Sequence, residues 1–174
     1  MKLSVKEMVI FALLGSLMFI SKQLMEFLPN IHMLGMFTML YTIVYRKKAL
    51  IPIYVFVLLE GVFAGFSMWW IPYLYIWTIL WAVTMLLPKN MPDKIAIPVY
   101  MAVCGLHGLS YGTLYAPFQA LAFGYGFKGT LAWIASGLPW DIIHMIGNIV
   151  LGSLILPLSK LLIKLETKEG NSEV

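Results

Sequence analysis

Apolar residues along this chain fall into six blocks, each about long enough to cross a bilayer, parted by short polar links. A hydrocarbon core about 30 Å thick takes roughly 20 helical residues per crossing. The blocks lie at about residues 6–26, 31–45, 49–66, 70–87, 95–115 and 139–165 and are read as six transmembrane helices. Pro29-Asn30 breaks the chain before the second block, Pro72 follows Trp69-Trp70 at the third link, and Pro88 stops the fourth. Pro98 falls in the first turn of the fifth, where a missing amide hydrogen costs least. Pro139 opens the sixth at a favoured first helical position. Residues 116–138 are apolar but studded with Pro117, Gly124, Gly126, Gly129 and Gly137. They read as a long outer loop or re-entrant hairpin, tolerable at membrane depth only where protein or water covers the backbone. The expected fold is an all-α integral membrane domain of six transmembrane helices over residues 1–174, with a frayed polar tail at 166–174.

Composition sharpens that reading. Of 174 residues, 61% are apolar and 11% charged, whereas a soluble domain carries roughly a quarter charged residues. The cations alternate between links. Lys2 and Lys6 precede the first block, Arg46-Lys47-Lys48 ends the second, Lys89 and Lys94 follow the fourth, and Lys160, Lys164 and Lys168 run out of the sixth. The other three links hold only Lys22, Glu26 and Lys128. Cytoplasmic loops retain Lys and Arg, so both termini are expected in the cytoplasm, in a plasma membrane of the prokaryotic inner-membrane type. The net charge of +4 is scattered over separate links and is a topology signal, not a nucleic-acid surface. Cys104 is the single cysteine, so there is no disulfide framework. The first 20 residues have the charge and apolar run of a signal peptide, but no small-residue cleavage site follows.

Small residues four apart let helices approach closely in lipid, and three such pairs occur: Ala12 with Ser16, Gly61 with Gly65, and Gly108 with Gly112. Packing among the chain's own helices is the plain explanation. A docking face for another membrane subunit is the alternative, and it suits Ala12 and Ser16 best.

Candidate chemistry comes from polar residues in apolar blocks. An ionisable group at mid-membrane costs roughly 2.5–3.5 kcal/mol on insertion scales and usually serves a function. Glu60, His107, Asp141 and His144 are such groups, and the expected topology brings all four toward the outer half of the membrane. Asp141, His144 and Asn148 share one helical face. The plain alternatives are a helix-dipole role for Asp141 just after Pro139, interhelical hydrogen bonds for His144 and Asn148, and a structural pairing of Glu60 with His107 or His144. His32, at the start of the second block, reads as interfacial, with contact to a ligand as the alternative. Trp70, Tyr73, Trp77, Trp81 and Thr84 form an aromatic stripe, in which Trp77 is placed to stack on a planar ligand. Tyr111 falls one turn after His107, and Trp133 and Trp140 flank the outer loop as closing elements.

Absent motifs narrow the choice. No G-x-x-x-x-G-K-[ST], H-E-x-x-H or G-x-S-x-G occurs, so P-loop ATP hydrolysis, zinc-protease chemistry and a hydrolase elbow are not expected. Three scattered histidines without ligand spacing argue against a metal centre, and no cofactor is implied. Two other readings remain: an intramembrane enzyme with Asp141 and His144 as an acid–base pair, and a structural membrane scaffold.

Six short helices, both ends inside, a small-residue pair on the first helix and an outward polar pocket together resemble the S components of energy-coupling factor (ECF) transporters. The stretch from Gly137 to Asn148, GLPWDIIHMIGN, is similar to the last-helix region of some of these vitamin-uptake subunits. The resemblance implies a high-affinity binding subunit for a small molecule, which topples in the bilayer and works with a T subunit and two ATPase subunits. It also implies an Ala-x-x-x-Ala docking motif on the first helix, here Ala12 and Ser16, with serine replacing the second alanine. Residues 115–138 and the link 22–30 would serve as lids. Nickel and cobalt members begin Met-His, whereas this chain begins Met1-Lys2-Leu3, so a metal substrate is disfavoured. The expected site has carboxylates, imidazoles and indoles but no buried cation other than Lys128 from the lid. A flat nitrogen heterocycle, neutral or cationic, suits Glu60 and Asp141 as acceptors and Trp77 or Trp140 as stacking surfaces.

Overall fold

The computed structural model describes residues 3–170, with side chains through residue 167. Lys2, the side chain of Lys168 and the tail at 171–174 lie outside the described residues. All regular structure among the described residues is helical. It comprises α1 (Val5–Leu24), α2 (Leu34–Tyr45), a 3₁₀ turn (Arg46–Ala49), α3 (Leu50–Ala64), α4 (Tyr73–Leu86), α5 (Asp93–Leu109), α6 (Tyr111–Phe123), α7 (Phe127–Gly152) and α8 (Ile155–Gly170).

Residues 34–42 of α2 are buried without interruption, and α2 packs on α4, α5, α7 and α8. A helix apolar all round belongs inside a core. Around it, α1 lies on α3, and α7 lies along α5 and α6. Ser4 caps α1 by accepting from the Glu7 amide at 3.2 Å, and the Glu7 carboxylate accepts from the Ser4 amide at 3.0 Å. The outer faces are apolar. Leu13, Leu58, Phe63, Leu106, Leu121, Ile146 and Val150 are exposed, while Glu60, His107, Asp141, His144 and Asn148 are buried. Two helical stretches are long and apolar enough to cross a membrane: Asp93–Phe123 with 31 residues and Phe127–Gly152 with 26.

Several sequence expectations need correction. The outer loop expected at 116–138 is almost wholly helical, divided between α6 and α7, with only residues 124–126 outside a helix. Pro117 sits inside α6 and Pro139 inside α7, so Pro139 does not open the last helix. An apolar helix satisfies its own backbone groups, and proline or glycine within it is tolerated where water offers no alternative. The break comes at Gly124, whose φ of 67° is left-handed and closes α6. The block expected to run from 139 to 165 is interrupted at Ser153–Leu154. Residues 166–170, expected to be frayed, continue α8. The second, third and fourth blocks form helices of 12, 15 and 14 residues, shorter than expected because turns occupy their ends.

The small-residue pairs also separate by role. A Cβ on Gly108 would meet the His144 backbone at 2.9 Å, and one on Gly105 would meet Ile149 at 2.5 Å. Glycine is thus what lets α5 lie against α7. Gly61 and Gly65 do not form a helix-docking pair: the Phe66 ring lies over Gly61, and Gly65 ends α3 with a φ of 90°. On α1, Gly15 faces Val55 and Pro52 of α3, while Ala12, one turn before it, is exposed and Ser16 is half-exposed at the flank of that contact.

Candidate functional site

The bundle has two chemically different ends. One gathers the 3₁₀ turn and the α4–α5 link, where Lys48 pairs with Glu7, Lys160 pairs with Asp93, and Arg46 donates to the Met85 carbonyl at 2.9 Å. The other gathers the C-terminal ends of α1, α3 and α5, the start of α4 and the middle of α7. The candidate polar residues converge at this second end.

Trp77 of α4 is at the centre. Its ring centroid lies 5.7 Å from His107, 6.1 Å from His32 and 6.2 Å from Tyr111. His144 completes the cluster, 4.6 Å from His32 and 4.9 Å from Tyr111. Five elements therefore contribute one ring each: the α1–α2 link, α4, α5, α6 and α7. The Nε2 atom of His107 lies 3.3 Å from the Ile76 carbonyl. By contrast, His32 Nδ1, Trp77 Nε1, His107 Nδ1 and His144 Nε2 are enclosed and have no hydrogen-bond partner. Buried polar groups are normally satisfied, and each one left bare costs about 1–3 kcal/mol. Four in one cluster is a concentrated deficit. The fifth such atom among the described residues is Thr38 Oγ1, inside α2.

A cavity of about 210 Å³ opens against this cluster, walled by His32, Tyr73, Tyr111, His144 and Lys22 and covered by the link from Met25 to Ile31. Asn30 in that link adopts a left-handed φ of 58°, a conformation that asparagine tolerates better than most residues. A second cavity of about 540 Å³ lies beside it, sharing Pro29, Asn30 and Tyr111 as a common wall. Trp133, Trp140 and Asp141 line this outer cavity.

Glu60 is fully buried but forms no hydrogen bond or ion pair with His107 or His144. It accepts from Lys22 Nζ at 2.6 Å and from Gln23 Nε2 at 3.1 Å. It does not line the cavity, but it holds Lys22, which does. The expectation that Lys128 is the cation near the site is corrected as well, because Lys128 is exposed and lines neither cavity. Asp141 accepts from the Gly112 amide at 3.0 and 3.2 Å. It lies 14 residues into α7, which rules out the helix-dipole role expected on its own helix, since that field fades within the first turn; the amide it accepts from belongs instead to the first turn of α6. Asn148 donates to the Cys104 carbonyl at 3.1 Å and lines neither cavity, so it ties α7 to α5. Asp141 and His144 face different cavities and form no hydrogen bond with each other.

The structure thus brings together Trp77, His107, Tyr111 and His144. It sets Trp133, Trp140 and Asp141 in the adjoining space, leaves Trp77 and His107 buried behind the inner cavity without lining it, and removes Glu60 and Asn148 from the lining. Sequence reasoning reads His32 as interfacial with ligand contact as the alternative, and places Lys22 only in the 22–30 lid link; the structure puts both in the cavity wall. His32 carried a signal, as a histidine beside a Pro-Asn break. Lys22 is marked only by its place in the lid link, and nothing in the sequence pairs it with Glu60, 38 residues away. The chain matches no family model, no curated protein and no solved structure.

Proposed function

We propose that the chain is a membrane-embedded binding subunit for uptake of a small planar nitrogen heterocycle of the vitamin class, an S component working with a T subunit and two ATPase subunits. In this reading it crosses the plasma membrane six times with both termini inside. The shorter helices complete their crossings with the turns that flank them. The cavity then opens on the outer side, opposite the cationic end, in keeping with the retention of Lys and Arg in the cytoplasm. The exposed apolar faces suit lipid, and the exposed Ala12–Ser16 face of α1 suits a close helix contact with the T subunit.

The observation carrying the reading is the set of four enclosed, partnerless nitrogens at His32, Trp77, His107 and His144. The Trp77 indole can only donate, and each imidazole donates or accepts according to its tautomer. His32 and His144 line the inner cavity, where a flat ring with nitrogen and oxygen atoms on its edge offers them partners and stacks on Tyr111; Trp77 and His107 lie directly behind them and are reached by a shift of the cluster on binding. Lys22 adds a donor for an oxygen on the ligand. The separation of Asp141 from His144 gives no support to an acid–base enzyme.

A thermal-stability screen of the purified chain against vitamins and their heterocyclic precursors tests this. One compound is expected to raise the melting temperature, and Trp77→Phe is expected to diminish the rise. If no compound in the panel stabilises the chain, the reading fails.

A further inference from the structure

The outer cavity has a chemistry of its own. Its walls include Tyr111, Tyr115, Trp133, Trp140, Gln119 and Asp141, and no lysine or arginine lines it. Asp141 is only 6% exposed. Among the described residues no cationic nitrogen lies within 4.0 Å of its carboxylate. Its sole hydrogen-bond donor is the neutral Gly112 amide. A Cβ on that glycine would sit 2.5 Å from Asp141 Oδ2, so the glycine is what allows the carboxylate to be clamped there.

The aromatic walls are held as firmly. Tyr115 and Trp133 stack at 6.1 Å and 25°, and the Tyr115 hydroxyl donates to the Trp69 carbonyl at 2.8 Å. A buried carboxylate is costly unless it is paired or takes up a proton, and the fold supplies only the Gly112 amide in the first turn of α6, with no full cationic counter-charge. Aromatic faces around a negative charge recognise alkylated ammonium groups, which bring positive charge without a demanding hydration shell. A hard metal ion is a poorer match, since it needs several oxygen ligands, and no group of three such side chains is present among the described residues.

We propose that the outer cavity, an open groove, is a binding site for an organic cation, an alkylammonium or quaternary ammonium group, ion-paired to Asp141 and flanked by Tyr111, Tyr115, Trp133 and Trp140. The site adjoins the imidazole cluster across Tyr111, but its carboxylate is its own, and it stands whether or not that cluster binds a heterocycle.

The test is titration calorimetry on the full chain in detergent, with choline and tetramethylammonium as probes. The neutral carbon isostere of choline, 3,3-dimethylbutan-1-ol, is the comparison. Choline is expected to bind at least about tenfold more tightly than the isostere. Asp141→Asn keeps an oxygen for the Gly112 amide and is expected to erase that preference. If Asp141→Asn does not fold, Trp140→Leu, at a half-exposed position, is expected to weaken choline binding while the chain stays folded. Trp77→Phe is expected to leave choline binding unchanged, which separates this site from the inner one. Equal binding of choline and its isostere overturns the proposal, as does no saturable cation binding. So do an undiminished preference in Asp141→Asn, unchanged choline binding in Trp140→Leu, or loss of choline binding in Trp77→Phe.

Discussion

Lys22 and Glu60 stand 2.6 Å apart across the α1–α3 interface, although 38 residues separate them in the chain. The carboxylate is fully buried and the lysine is 27% exposed. Removing one partner leaves the other uncompensated, and the buried member is the more costly to strand. Lys22→Met is therefore expected to lower stability by roughly 1–3 kcal/mol, and Glu60→Gln by less, because it strands no buried charge and its single oxygen still accepts from Lys22, although its NH2 then faces the Gln23 donor. The Lys22→Met/Glu60→Gln double variant is expected to lose less than the sum. Thermal melts of the four proteins check this, and strict additivity would mean that the pair is not coupled.

The glycines on α5 and α6 set how closely α7 approaches. Gly108→Ala and Gly112→Ala place a methyl against the His144 backbone and the Asp141 carboxylate. Overpacking of this kind costs about 1–3 kcal/mol. Gly126 has open space around it and a φ of −70°, so Gly126→Ala is expected to be neutral within about 0.5 kcal/mol. Melting temperatures of the three variants should divide into two damaged and one unaffected.

Most of the helical content was legible in the sequence because apolar runs broken by polar links leave few alternatives. The error at 116–138 arose from giving Pro117, Gly129, Gly137 and Pro139 the breaking strength they have in water. Only Gly124, where the backbone turns left-handed, interrupts the helices there. Within the site, Trp77, His107, Tyr111 and His144 were legible because each is a polar or aromatic group where an apolar one was expected. Glu60 was recognised as significant but given the wrong partner. Helical spacing reports which residues of one helix share a face; it says nothing about which lysine of another helix arrives there.

Membrane orientation is open to labelling. Cys104 is fully buried, so Cys104→Ala provides a background without thiols. A cysteine at Asn30 or Tyr125 is expected to react with an impermeant maleimide applied to intact cells. One at Lys47 or Asn90 is expected to react only after permeabilisation. Labelling of position 47 from outside would reverse the proposed topology.

The most direct measurement concerns the Trp77 indole N–H, followed by ¹⁵N NMR of the chain in nanodiscs and assigned with Trp77→Phe. Two other indoles serve as internal references: Trp70 Nε1 donates to the Val57 carbonyl at 2.7 Å and Trp81 Nε1 to the Arg46 carbonyl at 3.1 Å. On addition of the compound that stabilises the chain, the Trp77 signal is predicted to move downfield and its hydrogen to become protected from exchange, with Trp70 and Trp81 unchanged. A Trp77 signal that stays in place while the compound binds would contradict the account, because the partnerless nitrogens would then have no part in recognition.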